Sequence, residues 1–297
     1  MQWKRQYRVE FPDIGYTVDA LRVSFQIEKD LTSESNKASI RIYNMSPENR
    51  AKVEAPDIKV NMYAGYEMQT GPVQLFSGTV TQAFTRDDGA DVVTELRVSD
   101  GQMNLRDSVI SVSYSPGTSG KTVVEDVANR MGFTVVFGEN VTFSSYPDGF
   151  SFVGYGRNAL DEVCNASGLS WSVQNGILQV ILAGGTTGVR GLVFAPDSGL
   201  VGSPERIIKA NSRADNTTPK RTRRQKSGKE KPEKQAGWTI VSLLAPTVIP
   251  GDLVKVESRM VTGWMRVESL RHSGDSHGGR WVTEMDLIER GQASDEQ

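Results

Sequence analysis

The sequence has little of the chemistry on which most enzymes and metalloproteins are built. Among 297 residues there is one cysteine and there are two histidines. The lone Cys164 excludes an internal disulfide and predicts a chain matured in a reducing cytoplasm. No stretch approaches the ~18 consecutive apolar residues of a membrane span. The opening MQWKRQYRVEF also lacks the apolar run of a signal peptide, so the expectation is a soluble product made inside the cell. A net charge of −2 exerts no global pull toward nucleic acid or membrane. There is no G-x-S-x-G elbow, and Cys164 has no histidine near it in the sequence. The adjacent Asp161 and Glu162 read as charges on the solvated side of a helix. These absences predict a protein without catalytic, metal or cofactor-binding residues.

What is present is alternation. LRVSFQIEK places Leu21, Val23, Phe25 and Ile27 on one face and polar side chains on the other, the period of a half-buried strand. ASIRIYNM continues it with Ile40 and Ile42. A short helix follows, with Ser46 as cap and Pro47 at the first helical position, where a missing N–H costs nothing. IKVNMYAGY, VQLFSGTVTQAFTR and VVTELRVSD are further strands bounded by Gly, Pro or Asp. The middle of the chain turns helical: Val123, Val124, Val127 and Met131 share one face and Gly132 supplies the stop. A second helix, near 157–166, brings Leu160, Val163 and Cys164 together. LSWSVQ and ILQVIL then flank Asn175-Gly176, a strong hairpin signal. Strands return in GWTIVSLL, DLVKVES, WMRVESLRH and WVTEMDLIE. The reading is a β-rich α+β chain with two antiparallel β-barrel or sandwich domains, at 1–107 and 184–290, around a small α+β domain at 108–183. A flexible tail covers 291–297.

Two motifs invite chemistry. SPGTSGKT, from Ser115, is one residue short of the phosphate loop G-x-x-x-x-G-K-S/T. Ser115 replaces the first Gly, Pro116 removes a donor, and no parallel sheet is expected around it. The plainer expectation is a strand-to-helix turn capped by Thr118 or Ser119, with Lys121 solvated. RHSGDSHGGRW, residues 271–281, sets His272, Asp275 and His277 close together, yet Gly, Ser and Asp there suit a hairpin turn without any metal. Trp171, in a hairpin strand, is expected in the core, its alternative being a glycan platform.

Charge is uneven. From Pro219 to Lys234 there are eight Lys/Arg against two Glu, a local +6 that leaves −8 on the rest of the chain. This run lies in a polar loop at 210–235. Lys220, Arg221, Arg223, Arg224, Lys226, Lys229 and Lys231 form a candidate contact with an acidic partner, or else a solvated loop held extended by its charge. No aromatic residue is interleaved, so bases of a single strand find no stacking platform.

The β-rich parts echo each other. GADVVTELRV (Gly89–Val98) and GGRWVTEMDL (Gly278–Leu287) share Gly, V-T-E and an apolar–x–apolar ending. Each follows a strand leaving a Gly, Gly78 or Gly263, and each of those follows an alternating strand. The expectation is two β units of related fold.

In order along the chain, NKASIRIYNMS, AGY, LFSGTV, GKTVVEDVANRMG, WSVQNGILQV, PGDLVKVES, GWMRVESLRHSGD and WVTEMDL resemble the baseplate hub proteins of contractile phage tails, the late-control protein D family. The basic loop departs from the family pattern. The resemblance implies a structural, non-enzymatic protein without cofactor: a homotrimer whose chains each supply two tube-like β domains, forming a pseudo-sixfold adapter between tail tube and central spike. The implied partners are the spike, a tube or tube-initiator protein and the tape-measure protein. DNA would pass through the lumen without specific binding, in a virion baseplate assembled in the host cytoplasm. Two rivals stand beside it: a cell-wall-binding or cell-wall-degrading tail-tip protein, and a nucleotide-dependent assembly factor built on Lys121.

Overall fold

The computed structural model describes residues 4–67, 71–210 and 234–289. The amino-terminal strands are β1 (Arg5–Phe11), β2 (Tyr16–Val18), β3 (Val23–Asp30) and β4 (Lys37–Tyr43); after helix α1 (Pro47–Val53) come β5 (Lys59–Tyr66), β6 (Gly71–Asp88) and β7 (Asp91–Ser99). Alternation decides which side chains meet: Val23, Phe25, Ile27, Ile40 and Ile42 are all buried in one core with Val60, Met62 and Leu96. Ser46 caps α1 by accepting the Asn49 N–H at 3.3 Å.

The middle unit contains α2 (Gln102–Asp107), β8 (Val109–Tyr114), β9 (Thr118–Ser119), α3 (Gly120–Arg130), β10 (Thr134–Phe137), β11 (Ser145–Tyr146), β12 (Phe150–Tyr155), α4 (Gly156–Ala166), β13 (Leu169–Gln174) and β14 (Ile177–Leu182); α2 lies ahead of the expected boundary at 108, because its Leu105 is buried in this unit's core. Helices α3 and α4 pack Val123, Val124, Val127, Leu160 and Val163 onto Trp171, Leu178 and Val180 in a separate core. Asn175 and Gly176 make the β13–β14 turn with φ of 54° and 79°, the left-handed pair that an Asn-Gly hairpin requires.

The carboxy-terminal strands are β15 (Arg190–Phe194), β16 (Leu200–Ala210), β17 (Lys234–Leu243), β18 (Leu253–Glu257), β19 (Thr262–Asp275) and β20 (Trp281–Glu289). They enclose a third core containing Ile240, Val254, Val267, Met285 and Leu287. Pairing is not antiparallel throughout as alternation suggested: β10–β14 and β15–β18 are parallel.

The two β units carry one topology twice. Along the sheet the first reads β3-β4-β7-β6-β5-β1 and the second β16-β17-β20-β19-β18-β15. Their registers coincide. Thr94 faces Ile42 as Thr283 faces Ser242. Lys59, Val60 and Asn61 face Thr79, Gly78 and Ser77 as Leu253, Val254 and Lys255 face Arg266, Met265 and Trp264. Both long strands bulge at the equivalent residue, Thr81 in β6 and Glu268 in β19. The recurring V-T-E has a physical reason: its Thr is buried in each unit and needs a cross-strand partner. Thr94 Oγ1 meets Thr85 Oγ1 at 2.9 Å, and Thr283 Oγ1 meets His272 Nδ1 at 2.8 Å. The equivalence corrects one detail of the echo, since Gly78 matches Met265 and Gly263 lies two residues earlier. The outermost pairs differ, β1–β5 being antiparallel where β15–β18 is parallel.

These units are one hydrogen-bonded sheet of 13 strands, joined where β3 pairs with the second half of β19, Ser24–Asp30 against Ser269–Asp275. Trp281 and Leu244 cross into the amino-terminal core. The Trp281 ring lies edge-on to Phe25, centroids 5.3 Å apart. Gly274 sits between them, and a Cβ there would fall 2.3 Å from the Phe25 ring and 2.7 Å from Trp281. Gly274→Val therefore lowers the unfolding free energy by about 1–3 kcal/mol through overpacking, and more if strand pairing slips. Urea denaturation checks this, with Gly263→Val, where a Cβ meets open space, as the control expected to change little.

Candidate assembly interfaces

Three places in the structure concentrate polar chemistry. The first is the β3–β19 junction. Arg22 grips Asp275 through Nη2 at 2.8 Å and Nε at 3.3 Å, and Arg271 reaches Glu28 at 3.0 Å. Burial pushes the Asp275 carboxyl up, but the Arg22 hydrogen bond, the His277 N–H and the nearby positive charge outweigh it, and the net direction is down. Tyr66 Oη accepts the Leu244 N–H at 3.1 Å, a further tie between the units.

The second place holds the middle unit on the sheet. Lys29 follows Val23, Phe25 and Ile27 in phase, so β3 points it inward, and it is buried. Its Nζ donates to Asn175 Oδ1 at 2.9 Å. Asp100, also buried, accepts the N–H groups of Asn175 and Gly176. Asn36 donates to Val173 O at 2.6 Å, and Gln174 donates to Asp30 O at 2.7 Å. The β13–β14 turn and the end of β13 are thus clamped to the amino-terminal unit through Lys29, Asp100, Asn36 and the Asp30 carbonyl. Burial pushes the Lys29 ammonium down and the Asp100 carboxyl up, while mutual attraction opposes both shifts. On the other side Gln179 donates to Pro250 O at 3.0 Å, tying the middle unit to the carboxy-terminal one, and Arg266 donates at 3.1 Å to Gly185 O in the connection that follows β14.

The third place is His272. The expectation of a solvated turn holding His272, Asp275 and His277 is corrected: β19 runs on to Asp275, His272 is fully buried, and His277 is exposed. Burial, with Lys29 adding positive charge, pushes its imidazole down to about 3, so it is neutral at physiological pH. Among the described residues no cluster of His, Cys, Asp and Glu converges on a metal-binding geometry.

In SPGTSGKT the backbone donors are engaged locally: Gly117 N–H on Tyr146 O, Thr118 N–H on Ser115 O, Gly120 N–H on Ser144 O, and Lys121 N–H on the capping Ser119 Oγ. Strand β8 precedes it and β9 lies within it, each in an antiparallel pair. The segment is a helix start, and Lys121 is solvated beside Glu125 at 3.8 Å. Trp171 is buried, its indole N–H donating to Asp161 Oδ1 at 2.9 Å, so it presents no ring to a glycan. That bond also corrects the reading of Asp161 as a solvated charge. Burial pushes the Cys164 thiol up to about 12. Lys220, Arg221, Arg223, Arg224, Lys226, Lys229 and Lys231, and the tail 291–297, lie outside the described residues. Sequence reasoning missed Lys29, Asp100 and Asn36; the only signal was Lys29 continuing the apolar phase of its strand.

Two measurements check the clamp. Asp100→Ala leaves Lys29 buried without its anion and two turn amides without an acceptor, lowering the unfolding free energy by about 3–5 kcal/mol. Lys29→Met added to Asp100→Asn recovers much of that loss in chemical denaturation. His272, depressed from 6.5 to about 3, stabilises the fold above pH 6.5, where folded and unfolded chains both hold it neutral. That contribution falls as pH drops through 6.5 toward 3, because only the unfolded chain takes up the proton. In thermal unfolding series, His272→Gln loses less stability than the unaltered protein between pH 6.5 and 4.

No family profile and no curated protein matches the sequence. Solved structures do match its fold. The 43 kDa tail protein of prophage MuSo2 from Shewanella oneidensis superposes with a TM-score of 0.65 at 13% identity, over 96% of this chain and 97% of that one. A tail protein from Neisseria meningitidis gives 0.64 at 12% identity, over 97% of each. A component of the Escherichia coli type VI secretion system, described as similar in structure to bacteriophage T4 tail proteins, gives 0.60 at 13% identity, over 96% of this chain and 77% of that one. The chain has the fold of phage tail proteins.

Proposed function

We propose that this chain is the structural hub of a contractile phage tail or a related injection device, a homotrimer that joins a sixfold tail tube to a threefold spike. The observation that carries the reading is the repeated module. A chain with two β units of one topology and one register offers a trimer six alike surfaces, so it matches a hexameric tube on one side and a trimeric spike on the other. The resemblance in sequence and the tail-protein fold support the same assignment. The partners under this reading are the spike, the tube or tube-initiator protein and the tape-measure protein, and the seat is the virion baseplate.

Interface physics then does the work that catalysis does elsewhere. A closed ring of head-to-tail contacts satisfies strand edges without growing into a fibre. Each contact of a lasting assembly buries more than ~1,000 Å². Outside the basic run the chain carries −8, which suits a lumen that lets DNA pass without holding its phosphates. The basic connection between β16 and β17 is assigned to an acidic neighbour in the assembly.

Native mass spectrometry of the full chain mixed with its spike tests the assignment. Three copies of this chain per spike trimer is the expected composition. A one-chain or six-chain complex overturns the hub assignment.

A further inference from the structure

We infer that the free edge of β16 from Glu205 to Ile208 pairs, antiparallel, with the free half of β6 from Ala83 to Arg86 in a second copy of this chain. The inference rests on the ring assignment above and names the contact that closes it. It follows from the repeat. Within one chain, β3 lends its outer edge to the distal half of β19. By topology and register β3 corresponds to β16, and β19 corresponds to β6. In the described structure β16 is the last strand of the sheet and pairs only with β17. Beyond Thr79, β6 pairs only with β7. Each unit therefore has the half of a junction that the other unit lacks, and the two halves cannot meet within one chain without displacing the β3–β19 junction.

The residues on these edges fit each other. Carrying the β3–β19 register across sets Arg86 opposite Glu205, Thr85 opposite Arg206, Phe84 opposite Ile207 and Ala83 opposite Ile208. Arg86 and Glu205 are both exposed, and opposite charges face to face stabilise a strand pair. Phe84 and Ile207 take the places of Arg271 and Glu28, which bridge the internal junction on the same face. Ile208 is 69% exposed in the single chain, although its counterpart Lys29 is buried beneath the internal junction. An isoleucine with that exposure on an unpaired edge invites association, and a second copy covers it. Pro204 and the irregular register from Val201 to Glu205 remove regular donors from the first half of β16. The pairing is thereby confined to the stretch after Pro204.

Cysteine pairing in the full chain reads the contact directly, because Cys164 is 1% exposed and stays out of the exchange. Arg86→Cys combined with Glu205→Cys is expected to give a disulfide-linked trimer on mild oxidation, seen on non-reducing gels. Arg86→Cys combined with Arg206→Cys, which puts the second thiol on the opposite face, is expected to give little. In sedimentation, Arg86→Glu raises the concentration needed for half assembly by about tenfold, and Glu205→Arg in the same chain restores it. A trimer that forms normally but neither cross-links at 86/205 nor responds to charge reversal overturns this seam and leaves the ring standing on another surface. A chain that stays monomeric at high micromolar concentration, and whose cysteine pair forms no linked species under the same mild oxidation, also overturns the seam. The hub assignment is decided separately, by the composition of the complex with the spike.

Discussion

The structure depends on one strand pairing, that of β3 with the distal half of β19. An unpaired edge is costly to leave in water beside apolar side chains and hazardous to leave open to other chains. Here the amino-terminal unit closes one edge of the carboxy-terminal unit, and the Phe25–Gly274–Trp281 contact allows the backbones to approach. The repeat acquires consequences only through this pairing. Two modules of one topology, joined by a fixed strand register, have a fixed relation to each other, and a fixed relation can be propagated around an axis.

The polar clamp beneath the junction sets the middle unit. Burying Lys29 and Asp100 is expensive, and their attraction does not by itself repay the lost hydration. What the arrangement provides is a matched seat: the Asn175-Gly176 turn offers two amides and a side-chain carbonyl, and the Asp100 carboxylate and the Lys29 ammonium satisfy all three. Gln174 and Asn36 extend that seat by exchanging hydrogen bonds with backbone across the same boundary. The α+β unit is therefore held on its neighbours by matched polar groups while its apolar core stays its own.

Much of this was legible in the sequence, and the reasons are local. Alternation in LRVSFQIEK exposed the buried face of β3 because a strand's period is short enough to read without partners. V-T-E betrayed the repeat because a buried Thr demands a polar partner at the equivalent cross-strand position, supplied by Thr85 in one unit and His272 in the other. Other features were hidden because their causes are distant. Lys29 reads as the polar end of a strand until Asn175 and Asp100 arrive from far along the chain. His272 reads as a turn residue among Ser, Gly and Asp, yet Gly274 is there to admit Phe25 and Asp275 to hold Arg22. The true alignment of the two units rests on the bulges at Thr81 and Glu268, which leave no mark in composition. The edges to which the proposed ring assigns its contacts were the least legible, since their value lies in what they lack within one chain.

A reconstruction by electron cryo-microscopy of the assembled chain with its spike tests the central claim most directly. The account predicts a threefold ring in which six alike β modules, two from each chain, surround one channel at equivalent radius and orientation. A ring in which the two modules of a chain occupy unlike positions, or one with any other number of modules around the channel, would contradict it.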